Sequence, residues 1–392
     1  MTETGDRFLI ITSMKNEASY ILEWIAYHRV IGFTDFLVYT NDCEDCTVEM
    51  LERLEALGVL THQANKVLRR GPQKSALKYA KDQPLVAEAD WILVSDIDEF
   101  LVVKVSDGSV GALIDRMPDD ADVIPVTWRL FSHDDQVEFV DEPIIAQFTD
   151  AEKPLDDGGF PDRFVKSLFR RQAEVERFGT HGPIAGDDFR WVQPDGRALG
   201  EDDNLTRPAT AFAYEVAQFN HYAVCSVDNY LVKRDRGRVN HFRQTMGLDY
   251  WRRMCRGGEE DACILPHLDA TRAEMARLLE DAELRRLHDE GVAWRRRRIE
   301  ELRKLPEFEE MRANILKLSK ARDHHRSADQ TSMVDAMEAE AGPDPAEVSQ
   351  RLKALCKEMR DLIDHVSPHE AAQAAHGKLD ELENGLFGVA QR

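Results

Sequence analysis

Positive charge is what this chain is short of. Its 392 residues carry 51 Lys plus Arg against 73 Asp plus Glu, a formal charge of −22. That balance argues against general nucleic-acid binding and against an anionic membrane face as the main partner, while leaving room for a local basic pocket. Long hydrophobic runs are missing too: no stretch approaches the ~18 apolar residues of a spanning helix. The few cysteines, Cys43, Cys46, Cys225, Cys255, Cys263 and Cys356, are scattered, which fits a reducing cytosol better than a disulfide framework. Met1 to Arg7 is polar and acidic, and the apolar run behind it stops at Ile11, so no signal peptide is read there. The expected location is the cytoplasm, with peripheral membrane association as the variant. The chain is long enough for one large domain or two ordinary ones.

What is present is an acidic strand end. Trp91 to Val94 is a short apolar run that suits a strand buried on both faces. Ser95 breaks it, and Asp96, Asp98 and Glu99 follow. On an extended backbone Asp96 and Asp98 project to the same side. Two carboxylates held that close repel unless a cation or hydrogen-bond donors compensate. Hard oxygen ligands there suit Mg²⁺ or Mn²⁺, which in turn bind a diphosphate; a solvated acidic turn is the plainer alternative.

Around this stretch strand and helix alternate through the first 130 positions. Phe8 to Ile11 reads as a strand. A helix opens at Asn16-Glu17, carries Ile21, Leu22, Ile25, Ala26 and Ile31 at helical spacing, and closes at Gly32. Phe33 to Tyr39 is a second strand, Thr47 a plausible N-cap for a helix stopped by Gly58, and Val59 to Thr61 a third strand. A helix is expected from Gln73 to Glu88, and apolar Val123 to Phe131 as a further strand. The connection after the third strand carries Lys66, Arg69, Arg70 and Lys74, which can meet phosphates or simply face solvent. This alternation predicts a largely parallel sheet with helices on both faces. Residues 141–210 are rich in turn formers, with Arg163 to Arg170 as one strand, and Ala211 to Phe219 reads as another. From Asp269 onward Arg, Glu, Leu and Ala dominate. Two helices are expected over 269–322, broken near Gly291 or Pro306, with Arg295 to Arg298 on a solvated face, or else touching anionic lipid or an acidic partner. The expected organisation is an α/β domain over 1–265, a helical extension over 266–330, a linker over 331–345 and an amphipathic helix over 346–392. The apolar faces of these helices suit packing or an oligomer contact.

Four stretches in this order resemble the glycosyltransferase family 2-like proteins of the GT-A superfold, in the branch that also resembles family 92. They are Met14-Lys15-Asn16-Glu17 with Leu22-Glu23-Trp24, Tyr27-His28 and Ile31-Gly32-Phe33; Tyr39-Thr40-Asn41-Asp42; Val94-Ser95-Asp96-Ile97-Asp98-Glu99-Phe100, similar to the family's Asp-x-Asp; and Asn220-His221-Tyr222 with Ser226, Tyr230-Leu231-Val232-Lys233 and Arg236-Gly237. The resemblance covers roughly residues 7 to 245. It implies a GT-A fold, Rossmann-like with helices on both faces of a mostly parallel sheet, followed by a C-terminal helical region. It also implies transfer of a sugar from a UDP-, GDP- or dTDP-linked donor to a glycan, lipid-linked or protein acceptor, with Mn²⁺ or Mg²⁺ as cofactor.

Carried onto this sequence, Asp98 would be the direct metal ligand, Asp96 would contact the ribose or a metal-bound water, and His221 would be a later ligand. Lys15, Asn16, Glu17, Asn41, Asp42, Lys74, Lys233 and Arg236 would bind the nucleotide sugar. Each has a plainer alternative: Asn16 can cap a helix, Asp42 can organise a turn, His221 can be structural, and the cations can be surface charges. His181 is a weaker candidate for acceptor or phosphate contact. For a catalytic base the candidates are Asp134 and Asp135, with Asp187, Asp188 and Glu201 as alternatives. The family's turn at that point is rich in Gly and Ser, so Ser132-His133-Asp134-Asp135 departs from it. Cys43-x-x-Cys46 has no second pair to complete a zinc site and reads as ordinary loop residues. Two further readings compete. A sugar nucleotidyltransferase would bring a glycine-rich loop after the first strand, and Thr12 to Glu17 has none. A non-catalytic nucleotide-sugar or glycan-binding assembly protein would bind donors without turning them over.

Overall fold

The computed structural model describes residues 5–153, 164–171, 175–184, 189–199, 214–237 and 246–321. The expected linker, the C-terminal amphipathic helix, and Asp187, Asp188 and Glu201 lie outside them.

The strands are β1 (Phe8–Met14), β2 (Asp35–Thr40), β3 (Thr61–Ala64), β4 (Trp91–Val94), β5 (Glu99–Val103), β6 (Val123–Leu130), β7 (Asp150–Glu152), β8 (Val165–Arg170), β9 (Arg177–Phe178), β10 (Pro183–Ile184), β11 (Ala217–His221) and β12 (Gly258–Glu260). Eight of them form one sheet in the order β3-β2-β1-β4-β8-β6-β11-β5. β3, β2, β1 and β4 run parallel; β8 enters antiparallel between β4 and β6, and β5 closes the far edge antiparallel to β11. Two small sheets, β9–β10 and β7–β12, sit outside it. The helices are α1 (Ile21–Val30), α2 (Thr47–Ala56), α3 (Pro72–Ala80), α4 (Pro84–Glu88), α5 (Val110–Ile114), α6 (Ile144–Gln147), α7 (Val227–Arg236), α8 (Leu248–Met254), α9 (Leu268–Leu278), α10 (Ala282–Leu302) and α11 (Pro306–Ala321). This is the mostly parallel α/β sheet with helices that the alternation implied.

Several local expectations are corrected. The stretch from Gln73 to Glu88 is two helices, because Pro84 holds Gln83 extended at ψ 138°. Thr47 does not cap α2; its hydroxyl accepts the Glu17 N–H at 2.8 Å and locks the β1–α1 loop to α2. The region 268–321 holds three helices, not two. Its first break is at Asp281, whose side chain caps α10, and Gly291 lies inside α10. The most consequential change concerns the acidic stretch. Ser95 to Asp98 does not continue the strand; the chain turns there and leaves as β5 at the opposite edge of the sheet. Alternation along an extended backbone is therefore not what sets Asp96 beside Asp98.

The residues of the first resembling stretch explain how that turn is held. Trp24 on α1 donates its indole N–H towards the carbonyls of Asp96 and Glu99, each at 3.1 Å, and Tyr27 donates to the Leu101 carbonyl at 2.7 Å. His28 is fully buried against Phe100, and burial lowers its pKa to about 3, so it is a neutral core residue. Helices α9, α10 and α11 belong to the same compact unit as the sheet, with α9 on α1, α10 on α2 and α7, and α11 on α7 and α8. Glycine at 291 permits this close approach: a Cβ there would stand 2.5 Å from the Ala18 Cβ. Gly291→Val should therefore destabilise the protein by about 1–3 kcal/mol through overpacking. The readout is a lower urea midpoint with unchanged slope; an unchanged midpoint would disprove the contact.

Candidate active site

The carboxyl ends of β1, β2, β4, β6 and β11, with the starts of β5 and β8, share one rim of the sheet, the edge where open α/β sheets bind ligands. The acidic turn sits at its centre. Asp96 and Glu99 close the turn on each other: the Glu99 N–H donates to the Asp96 carbonyl at 3.1 Å, and the Asp96 N–H donates to Glu99 Oε2 at 2.9 Å. Lys166, 1 % exposed near the start of β8, places Nζ at 3.1 Å from both Asp96 Oδ2 and Glu99 Oε2. Gln73 at the start of α3 donates to Asp96 Oδ1 at 2.7 Å. Burial lifts the Glu99 carboxyl to about 6 although Lys166 opposes the rise. Burial would likewise lower Lys166, but Asp96 and Glu99 outweigh it and keep the ammonium charged.

Asp98 faces a second cation. Lys233 on α7 donates to Asp98 Oδ2 at 2.5 Å and to the Ala223 carbonyl at 2.6 Å. His221 Nε2 lies 3.7 Å from the same carboxylate oxygen, and its ring packs on Trp128 with centroids 4.4 Å apart. Burial alone would raise the Asp98 carboxyl, but Lys233 and His221 hold it far below the usual carboxylate range. A cavity opens on this pair. Glu17, Tyr20, Ile144, Tyr222 and Arg295 are among its lining residues.

Glu17 anchors the opposite wall. It is ion-paired with Arg236 of α7 and lies 3.6 Å from Arg295 of α10. Arg295 also donates to Ser19 Oγ at 2.6 Å and to the Asn16 carbonyl at 3.1 Å, and covers the Tyr20 ring. This corrects the solvated-face expectation for two of the four arginines: Arg295 is buried in the site and Arg298 pairs with Asp235, while Arg296 and Arg297 are exposed as expected.

The other expected site residues are placed as follows. Asn16, at φ 55°, does not cap α1; its side-chain oxygen accepts the Glu44 N–H at 2.7 Å. Asn41 donates to Asp42, which is exposed at φ 49°. Lys15 is half-buried at the end of β1, and Lys74 is exposed on α3. His181 Nδ1 bonds the Val165 carbonyl at 2.8 Å. Asp134 and Asp135 have φ 49° and 58°, a conformation that glycine adopts freely and Asp tolerates. The Asp134 carboxylate accepts the Thr149 N–H at 3.1 Å, and Asp135 is exposed. Cys43 and Cys46 are free thiols, and Cys46 Sγ donates to the Leu287 carbonyl at 3.0 Å.

Sequence reasoning missed Gln73, Glu99 as an ion-pair partner, Lys166 and Arg295. The one available signal was that three acids in four positions demand cations from elsewhere; it does not say which. Among the described residues, no three His, Cys, Asp or Glu side chains converge as a ready metal site. Asp96, Asp98 and His221 are therefore neighbours, not a preformed ligand triad.

Residues 11–138 match the family model for glycosyltransferase family 92. The match covers about a third of the chain and includes the Asp96–Asp98 turn. The matched span ends before Lys166, His221, Lys233 and Arg236. No curated protein matches the chain in sequence. Among solved structures, Staphylococcus aureus TarS 1–349 is similar at 14 % identity, covering 68 % of this chain and 73 % of that one, with a TM-score of 0.29. The same protein in complex with UDP-GlcNAc is similar at 14 % identity, 64 % and 70 % coverage and a TM-score of 0.28. Glucosyl-3-phosphoglycerate synthase from Mycobacterium tuberculosis, with phosphoglyceric acid, is similar at 14 % identity, 52 % and 75 % coverage and a TM-score of 0.29.

Two predictions follow from the burial of these charges. Lys166→Met leaves two carboxylates without their cation and should destabilise the fold by about 3–5 kcal/mol. Adding Glu99→Gln should recover part of that loss in urea unfolding; a Lys166→Met protein as stable as wild type would refute the pairing. The second concerns Glu23 on α1, buried with Oε1 accepting the Ile145 N–H at 3.0 Å beside the cavity. Burial raises its pKa to about 7. The folded state then holds the proton that the unfolded chain releases near its ordinary value, so stability falls as pH rises from about 4.5 to 7. The difference in unfolding free energy between wild type and Glu23→Gln should move by roughly 2–3 kcal/mol across that window, in favour of the variant at higher pH. A pH-independent difference would contradict it.

Proposed function

We propose that the protein transfers a sugar from a nucleotide-sugar donor to a glycan or lipid-linked acceptor, with the Asp98–Lys233–His221 cluster receiving the donor's diphosphate. The observation that carries this is a carboxylate and an ammonium, both half-buried, held 2.5 Å apart on the cavity wall at the sheet's carboxyl rim. Departure of a nucleoside diphosphate builds negative charge, and a transferase needs fixed cationic charge where it develops. Lys233 supplies an ammonium on a flexible stem, and Arg236 stands one turn further along α7.

Asp98 and His221 also fit a divalent ion. The Asp98 carboxylate oxygen suits Mn²⁺ or Mg²⁺, and the imidazole nitrogen facing it favours Mn²⁺ of the two. Asp98 and His221 would hold such an ion. When bound it supplies Lewis-acid stabilisation of the leaving group. Asp96, oriented by Gln73 and Lys166, presents a fixed acceptor for the donor's ribose hydroxyls. Trp24 holds the turn so that neither carboxylate moves with the other. The wall of Glu17, Arg236 and Arg295 positions Lys15 and the end of β1 beside it.

The test is donor hydrolysis on a panel of UDP-, GDP- and dTDP-sugars with Mn²⁺. Asp98→Asn should lower turnover at least about 100-fold while circular dichroism stays that of the folded protein. Chelation should remove wild-type activity and added Mn²⁺ should restore it. Turnover by folded Asp98→Asn at the wild-type rate would refute the assignment, and chelator-resistant turnover would refute its metal part.

A further inference from the structure

Between Glu55 and Asp82 the chain has no acidic residue, although the protein has 73 acids among 392 residues. The same stretch carries Lys66, Arg69, Arg70, Lys74 and Lys78, all exposed, and among the described residues none of the five has an ion-pair or hydrogen-bond partner. The contrast with other surface arginines is sharp: Arg277, Arg286 and Arg298 each pair with a carboxylate within their own helix. Lys66, Arg69 and Arg70 sit on the turn between β3 and α3, which a Leu68–Gly71 bridge closes. Val67 stands among them 44 % exposed. Lys74 and Lys78 are four apart and continue the cations along the outer stripe of α3, while Gln73, Ala76, Leu77 and Ala80 bury the inner one. The patch begins beside the site, since Gln73 is the residue that holds Asp96.

We propose that this turn and helix stripe dock the protein on an anionic lipid bilayer, with Val67 entering the headgroup layer and the five cations facing lipid phosphates. None of the five lines the cavity at Asp98, and they spread over a turn and a helix instead of converging on one anion, which suits a surface and not a pocket. An exposed apolar tip flanked by basic residues is the pattern that gains from both headgroup charge and the acyl boundary. Attachment must then be strongly salt-dependent, because the remaining surface is acidic and repelled. Docking stands without the transferase reading; its consequence, that the site meets lipid-linked acceptors, rests on that reading.

The test is cosedimentation of the full chain with vesicles of phosphatidylcholine alone and of equal parts phosphatidylcholine and phosphatidylglycerol. Binding to the anionic vesicles should be at least about tenfold stronger and should be lost at high salt. Lys66→Gln, Arg69→Gln, Arg70→Gln and Lys78→Gln combined should abolish it, and Val67→Asp should weaken it. Donor hydrolysis in solution should be unchanged in the combined variant, so a failure of docking and a failure of catalysis are read separately. Equal binding to both vesicles, wild-type binding by the combined variant, or release by inorganic phosphate but not by chloride at equal ionic strength would each overturn the proposal.

Discussion

Three carboxylates on four consecutive positions, one fully buried and two partly so at the end of a buried strand, must be neutralised, and the rest of the site is arranged by that requirement. Lys166 answers Asp96 and Glu99; Lys233 answers Asp98. The two lysines come from different elements, a strand inserted antiparallel into the sheet and a helix that follows the last strand of the rim. Neither ion pair forms without the complete sheet, so the electrostatics of the site and the topology of the fold are one constraint. Buried pairs of this kind add little net stability, yet breaking one is costly. Their value lies in holding charges in a single arrangement.

That arrangement separates two roles within one acidic turn. Asp96 is fastened by a lysine and a glutamine and has little freedom to change partner. Asp98 shares its oxygen between a flexible ammonium that lines the cavity and a nearby imidazole. One carboxylate of the turn is thus held fast and the other shares its oxygen. The αL backbone at Asn16, Asp42, Asp134, Asp135 and Cys225 marks how tightly the loops around this rim are bent.

The helices after residue 268 complete the site instead of merely following it. Arg295 of α10 reaches the β1–α1 loop through Glu17 and Asn16, and Gly291 lets α10 lie close enough to do so. A run of four arginines looks like a solvent face in a helical pattern. Its first member is buried because the glycine one turn earlier removes the side chain that would have kept the helix away. Glycine inside a helix reads as a break in sequence; its meaning as a contact point depends on a neighbour more than two hundred residues distant.

Local pattern alone determined the alternation of β1 to β4 with α1 and α2 and the acidic strand end, because period, capping and residue chemistry act over a few positions; the candidacy of His221, Lys233 and Arg236 came with the family resemblance. Only the tertiary structure decided that the chain turns between Asp96 and Asp98, that Lys166, Gln73 and Arg295 belong to the site, and that Asn16 and Thr47 brace loops. The physical reason is that a buried charge is satisfied by whatever partner the fold brings within about 3 Å, and sequence separation does not enter that distance.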